Sequence, residues 1–198
     1  MDKDTNAVTN VVIVGVGGQG ILLASTIVSR VAVLAGHDVK NNEVHGMAQR
    51  GGSVISQIRF GPRVYSPLVM KGTAHFLLAL EEAEALRYLH LCNGKTAAVV
   101  NSLQIVPVTV TSGKARYPEN AEQVLRKQLP DCRFIQAQQI AEEVGNIRTM
   151  NVVLIGAISN FLPFEADAFE EAIKSSVKPK FVDINIEAFQ RGRAVTAS

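Results

Sequence analysis

Cysteine is scarce in this chain: there are two in 198 residues, Cys92 and Cys132, and neither belongs to a CxxC pair. That argues against a structural zinc site or an iron–sulfur cluster held by this chain alone. An excess of charge of one sign is also missing, since 20 Lys and Arg face 18 Asp and Glu. The basic residues are scattered, so no nucleic-acid partner is expected. Charged residues make up only 19%, a weak sign that part of the surface is covered by another subunit. A long hydrophobic run is absent too. The stretch Met150 to Phe164 is broken by Asn151, Ser159, Asn160 and Pro163 and falls short of the ~20 residues a bilayer needs. It reads as a buried helix, and no membrane partner is expected. The opening MDKDTNAVTN shows no basic-then-apolar leader pattern, which points to a cytoplasmic protein.

What is present is an alternation of strand and helix patterns, read as one domain over residues 1–198 with residues 1–9 and 194–198 flexible. Val11-Val12-Ile13-Val14 is a β-branched run suited to a strand buried on both faces. Ile21 to Ala35 predicts a helix with its polar residues on one stripe, ended by Gly36. His37 to Lys40 predicts a second strand, completing a βαβ opening. Asn41 to Gly52 lacks a hydrophobic period and reads as a loop. Ser53 to Phe60 alternates, and Gly61-Pro62-Arg63 suggests a turn into Val64-Tyr65, hence a small hairpin at the sheet edge. Further strands are expected at Phe76–Leu80, Ala97–Val100 and Arg133–Ile135. Helices are expected at Glu81–Leu91, Tyr117–Leu129, Arg148–Leu162 and Glu165–Val177. The sum is an α/β, Rossmann-like fold: a mostly parallel sheet, helices on both faces, and a small β-hairpin.

Gly15-Val16-Gly17-Gly18-Gln19-Gly20 sits between the first strand and the first helix, where glycines allow a tight turn and an open helix N-terminus attracts anions. Gly15, Gly17, Gly18, Gln19 and Gly20 are therefore candidate cofactor-binding positions. The same glycines also suit mere close packing of helix on strand. A dinucleotide reading asks for an acidic residue about 20 residues onward; here the second strand ends in Lys40-Asn41-Asn42, and Glu43 falls late. A second run, Glu43-Val44-His45-Gly46-Met47-Ala48-Gln49-Arg50-Gly51-Gly52-Ser53, crowds glycines, His, Gln and Arg at what should be the carboxyl edge of the sheet. Arg50 offers a planar fork for a carboxylate or phosphate, and Gly51-Gly52 allow close approach to backbone amides. His45, Arg50, Gly51 and Gly52 are the candidate substrate- or anion-binding residues. Equally, His45 is a hydrogen-bonding loop residue, or Arg50 satisfies loop carbonyls. No catalytic residue and no metal ligand can be named.

The two runs together, GVGGQG and EVHGMAQRGGS, resemble the gamma-type subunits of 2-oxoacid:ferredoxin oxidoreductases, most of all the branch acting on indolepyruvate. The resemblance extends through Ser66-Pro67-Leu68 and Ala79-Leu80-Glu81. It implies a pyruvate/ketoisovalerate oxidoreductase gamma-type domain in a complex that oxidatively decarboxylates an arylpyruvate, or a related 2-oxoacid. The acyl group passes to coenzyme A as co-substrate and electrons pass to ferredoxin. The thiamine-binding GDG with its distant NN is missing, as are cluster cysteines. By resemblance, thiamine diphosphate, magnesium and iron–sulfur clusters belong to a larger partner subunit, and the isolated chain is inactive. Two other readings remain at this point: an NAD(P)-dependent Rossmann enzyme and a regulatory domain that binds a small ligand.

Overall fold

The structure, a computed structural model, describes residues 8–46, 51–106 and 117–197. Strands β1 (Thr9–Val16), β2 (Asp38–His45), β3 (Ser53–Gly61), β4 (Phe76–Ala79), β5 (Ala97–Asn101) and β6 (Cys132–Ile135) form one sheet in the order β2-β3-β1-β4-β5-β6. β1, β4, β5 and β6 are parallel neighbours, whereas β3 runs antiparallel to both β1 and β2. The apolar runs of β1, β4 and β5 are buried almost throughout, as expected of parallel strands covered on both faces.

Alternate residues of the inner strands feed two cores. Val11 and Ile13 of β1, Ile58 and Phe60 of β3, and Leu78 and Val99 face α1 (Ile21–Leu34), α4 (Ala137–Glu143), α5 (Met150–Ser159), α6 (Ala166–Lys174) and α7 (Val182–Thr196). Val12, Val14, Ile55, Leu77 and Val100 face α2 (Glu82–Arg87) and α3 (Ala121–Gln128). Helices therefore lie on both faces, and the fold is the Rossmann-like α/β class. In α1, Ile21, Ala24, Ile27, Val28 and Val31 form the buried stripe, and Gly36, at φ +83°, ends the helix.

Several expectations need correction. The hairpin is not Ser53–Phe60 with Val64-Tyr65, because those two residues form no strand. Val64 is instead held by its N–H donating to Asp38 Oδ2 at 2.8 Å. The true hairpin is β2–β3, and residues 41–45 of the expected loop are its outer strand. Its polar composition hid it: Asn41 and Glu43 are partnered by Ser25 of α1 rather than buried in apolar packing. Consequently β1 and β2 are not neighbours, and the βαβ opening spans the intervening β3. The expected helix over residues 81–91 breaks into α2 and a 3-10 turn at Leu89–Leu91, and α3 begins only at Ala121. Helices α4 and α7 lacked a recognised pattern. Residues 194–196 are the last turn of α7, with the Thr196 hydroxyl donating to Ala157 O at 2.8 Å.

Candidate functional site

The parallel strands and β2 all end at one edge of the sheet, and β3 begins there. β1 sends its following helix to one face and β4 to the other, so a switch point lies between them, the place where open α/β sheets bind ligands. Gln19 spans it. Its Oε1 accepts from Val16 N–H at 2.7 Å and its Nε2 donates to Leu80 O at 2.9 Å. The side-chain amide is thereby committed to holding the turn. Gly20, at φ +80°, caps α1 in a left-handed conformation that side-chain-bearing residues adopt only at a cost. A Cβ there would lie 2.5 Å from Asn151 Nδ2.

Asn151, in the first turn of α5, is 2% exposed. Its Nδ2 donates to Gly20 O at 3.0 Å, and its Oδ1 accepts from Val152 N–H at 3.0 Å. The starts of α1 and α5 are thus tied together. Beside them opens a crevice of about 480 Å³ lined by Gly18, Gln19, Gly20, Leu103, Arg148 and Asn151 among others, with no carboxylate among the described residues of its wall. The N-terminus of α1, which no side chain caps, and the Arg148 guanidinium both border this space, and both favour negative charge.

The second candidate loop is stitched to the first. Gly17 N–H donates to Gly52 O at 2.8 Å, Gly51 N–H approaches Gly17 O at 3.5 Å, and Ser53 pairs with Val16. His45, opposite Val54 in the hairpin, lines a smaller cavity of about 340 Å³ with Gly17, Gly18 and Gly20. Of the predicted positions, Gly17, Gly18, Gly20, His45, Gly51 and Gly52 therefore come together. Gly15 lies back in β1, packed beneath Gln19 and Leu80. Arg50 lies outside the described residues. Glu43 is turned to Ser25 Oγ, 3.0 Å away, on the α1 side, and Lys40 pairs with Asp38. Neither is placed beside the glycine turn in the way a ribose or its phosphate would require.

The region from residue 10 to residue 195 matches the family described as Pyruvate ferredoxin/flavodoxin oxidoreductase. The chain belongs to that family. It is 44% identical over 187 residues to the indolepyruvate oxidoreductase subunit IorB of Archaeoglobus fulgidus, covering 92% of each chain. The IorB subunit of Pyrococcus horikoshii is 42% identical over 189 residues, covering 92% of this chain and 93% of the relative. In fold it is similar to a keto/oxoacid ferredoxin oxidoreductase gamma subunit from Geobacter sulfurreducens. The TM-score is 0.70 at 24% identity, over 96% of this chain and 98% of the other.

In this oxidoreductase-family chain, the sequence motifs cover only one wall of the crevice. Arg148, Gln138 and Asn151 supply the other; the available signal was a polar Asn151 in the first turn of a largely apolar helix. A second polar cluster stands at the same edge. Glu81 accepts from Glu84 N–H at 2.9 Å, from Ile105 N–H at 3.1 Å, and from the Tyr117 hydroxyl. Burial and the Glu81 carboxylate hold the Tyr117 phenol above its usual range. Glu84 accepts from Ser53 Oγ and so pins the root of the hairpin loop to α2.

Among the described residues no three His, Cys, Asp or Glu side chains are grouped as a metal-binding set. Burial pushes both the Cys92 and Cys132 thiols up to about 11, the protonated form that ligates metals poorly. No helix among the described residues is long and apolar enough to cross a membrane.

Proposed function

We propose that this chain is the small subunit of a 2-oxoacid:ferredoxin oxidoreductase whose substrate is an arylpyruvate such as indolepyruvate. Thiamine diphosphate, magnesium and iron–sulfur clusters belong to a larger partner subunit, through which electrons reach ferredoxin. The substrate assignment is supported by 44% identity to an indolepyruvate oxidoreductase subunit over 92% of the chain. This chain contributes the crevice at the glycine turn, where Gly17, Gly18 and Gly20, with His45, Gly51 and Gly52 alongside, receive an anionic ligand. A phosphate of the co-substrate coenzyme A has suitable chemistry.

The observation that carries the ligand assignment is a wall in which the N-terminus of α1 meets Arg148, with no carboxylate among its described residues. The test is native purification of the tagged chain, followed by assay with indolepyruvate, 2-oxoglutarate and branched-chain 2-oxoacids. A larger subunit with iron–sulfur absorbance should co-purify, and indolepyruvate should be oxidised fastest. A chain that elutes alone, or a complex that oxidises only 2-oxoglutarate, would overturn the proposal.

A further inference from the structure

Behind the crevice lies a second cavity of about 380 Å³, between α1, the turn at residues 146–149, and the segment from Ser176 to Asn185. It shares Leu23 and Arg148 with the crevice wall. The two spaces therefore meet at one apolar side chain and one guanidinium. Its remaining wall offers Lys178, the Phe181 ring, Val177 and the polar side chains of Asn146, Thr149, Ser176 and Asn185, with no carboxylate among the described residues.

Most of these polar groups already have internal partners. Thr149 Oγ1 donates to Asn146 O at 2.8 Å, Ser176 Oγ to Ala172 O at 2.6 Å, and Asn185 Nδ2 to Phe181 O at 2.7 Å. The cations do not: among the described residues neither Arg148 nor Lys178 forms an ion pair. Lys180 adds a third positive charge nearby, its Nζ 4.9 Å from the Phe181 ring centroid. Unpaired cations around a carboxylate-free, partly apolar cavity favour an anion joined to a hydrocarbon body.

We infer that the two cavities form one elongated site for an organic bisphosphate. One phosphate lies at the glycine turn, an apolar body crosses Leu23, and the second phosphate meets Lys178. Arg148 stands at the waist and serves both ends. The inference rests on the crevice binding an anion, as proposed above, and adds the second lobe.

Calorimetric titration of the full chain with inorganic phosphate, hexyl phosphate, and the bisphosphates of hexanediol and decanediol tests it. At least one bisphosphate should bind ten- to a hundredfold tighter than hexyl phosphate, the worth of one added charge-assisted contact. Lys178→Ala should erase that gain while leaving inorganic phosphate unchanged. Arg148→Ala should weaken every compound. Equal affinity for mono- and bisphosphates, or a gain that survives Lys178→Ala, would overturn the second lobe and leave the crevice standing. If no compound binds the wild-type chain, inorganic phosphate included, the crevice assignment fails and the elongated site falls with it. Melting temperatures of both variants control for the fold; both side chains lie outside the cores.

Discussion

Gln19 is the residue on which the glycine turn depends. Its amide accepts from the N–H of Val16 and donates to the carbonyl of Leu80, joining the ends of β1 and β4 across the switch point. Gln19→Leu keeps the bulk and removes both bonds. The Val16 N–H is then left unpaired and Leu80 O keeps only the longer bond from Asn101 Nδ2 at 3.3 Å, which should cost about 1–3 kcal/mol, read as a lower urea midpoint at unchanged slope. Gln19→Glu restores the acceptor for Val16 but sets a carboxylate against Leu80 O, so it should recover only part of the loss. Full stability in Gln19→Leu would show that the turn is held by its glycines alone. Beside it, Asn151 does comparable work from the far side of the chain, since its amide reaches Gly20 O across 131 positions of sequence.

Among the elements, the pair α5 and α7 is packed so tightly that backbone meets backbone. A Cβ on Gly192 would fall 1.9 Å from Val153 O, and one on Gly156 would fall 2.1 Å from Phe189 O. No flexible side chain is available to yield, so the helices must separate. Gly192→Ala should therefore cost about 3 kcal/mol, at the upper end of overpacking effects. Helix propensity alone would give a gain of roughly 1 kcal/mol. Gly36→Ala is the matched control, because a Cβ there meets nothing within 4 Å. It should cost only the left-handed backbone strain of about 1–2 kcal/mol. Comparison of the two melting curves checks the contrast, and equal losses would refute the close-packing account.

The junction of β1 with the segment leading into β4 carries a pH dependence of its own. His75 Nδ1 accepts from Asn10 N–H at 3.0 Å, and burial lowers the His75 pKa from 6.5. The folded state therefore binds a proton less readily than the unfolded chain. The stability due to neutral His75 is present above the unfolded pKa of about 6.5 and is lost as pH falls below it. Urea midpoints at pH 7.5 and 5.5 should diverge more for the wild type than for His75→Asn. Parallel shifts would remove His75 as the cause.

At the scale of the whole molecule, the strand order bears on the dinucleotide-binding reading. In a dinucleotide-binding sheet the acid that holds the ribose stands on a strand neighbouring β1. Here antiparallel β3 occupies that place, and β2 with Glu43 is displaced to the edge. NADH should accordingly bind no tighter than millimolar by titration calorimetry. With thiamine diphosphate and the clusters in a larger partner subunit, as proposed, the purified single chain should show no oxidation of indolepyruvate with thiamine diphosphate and an artificial electron acceptor. Turnover by the single chain, or micromolar NADH, would require a different assignment of function.

The sequence by itself determined the β1–turn–α1 unit, the parallel apolar strands, α6 and the family. Each of these is a pattern among neighbouring residues: a β-branched run, a glycine turn, a helical period, a motif at fixed spacing. Only the tertiary structure decided that the polar stretch Asn41-Asn42-Glu43 continues the edge strand, because its order comes from backbone pairing with β3 and from Ser25. It also decided the far wall of the crevice. Arg148 and Asn151 reach the glycine turn because α5 packs against α1, and that packing is set by the volume and shape of a core assembled from distant segments. Periodicity says which face of a helix is buried; it carries no information about which other helix that face will meet.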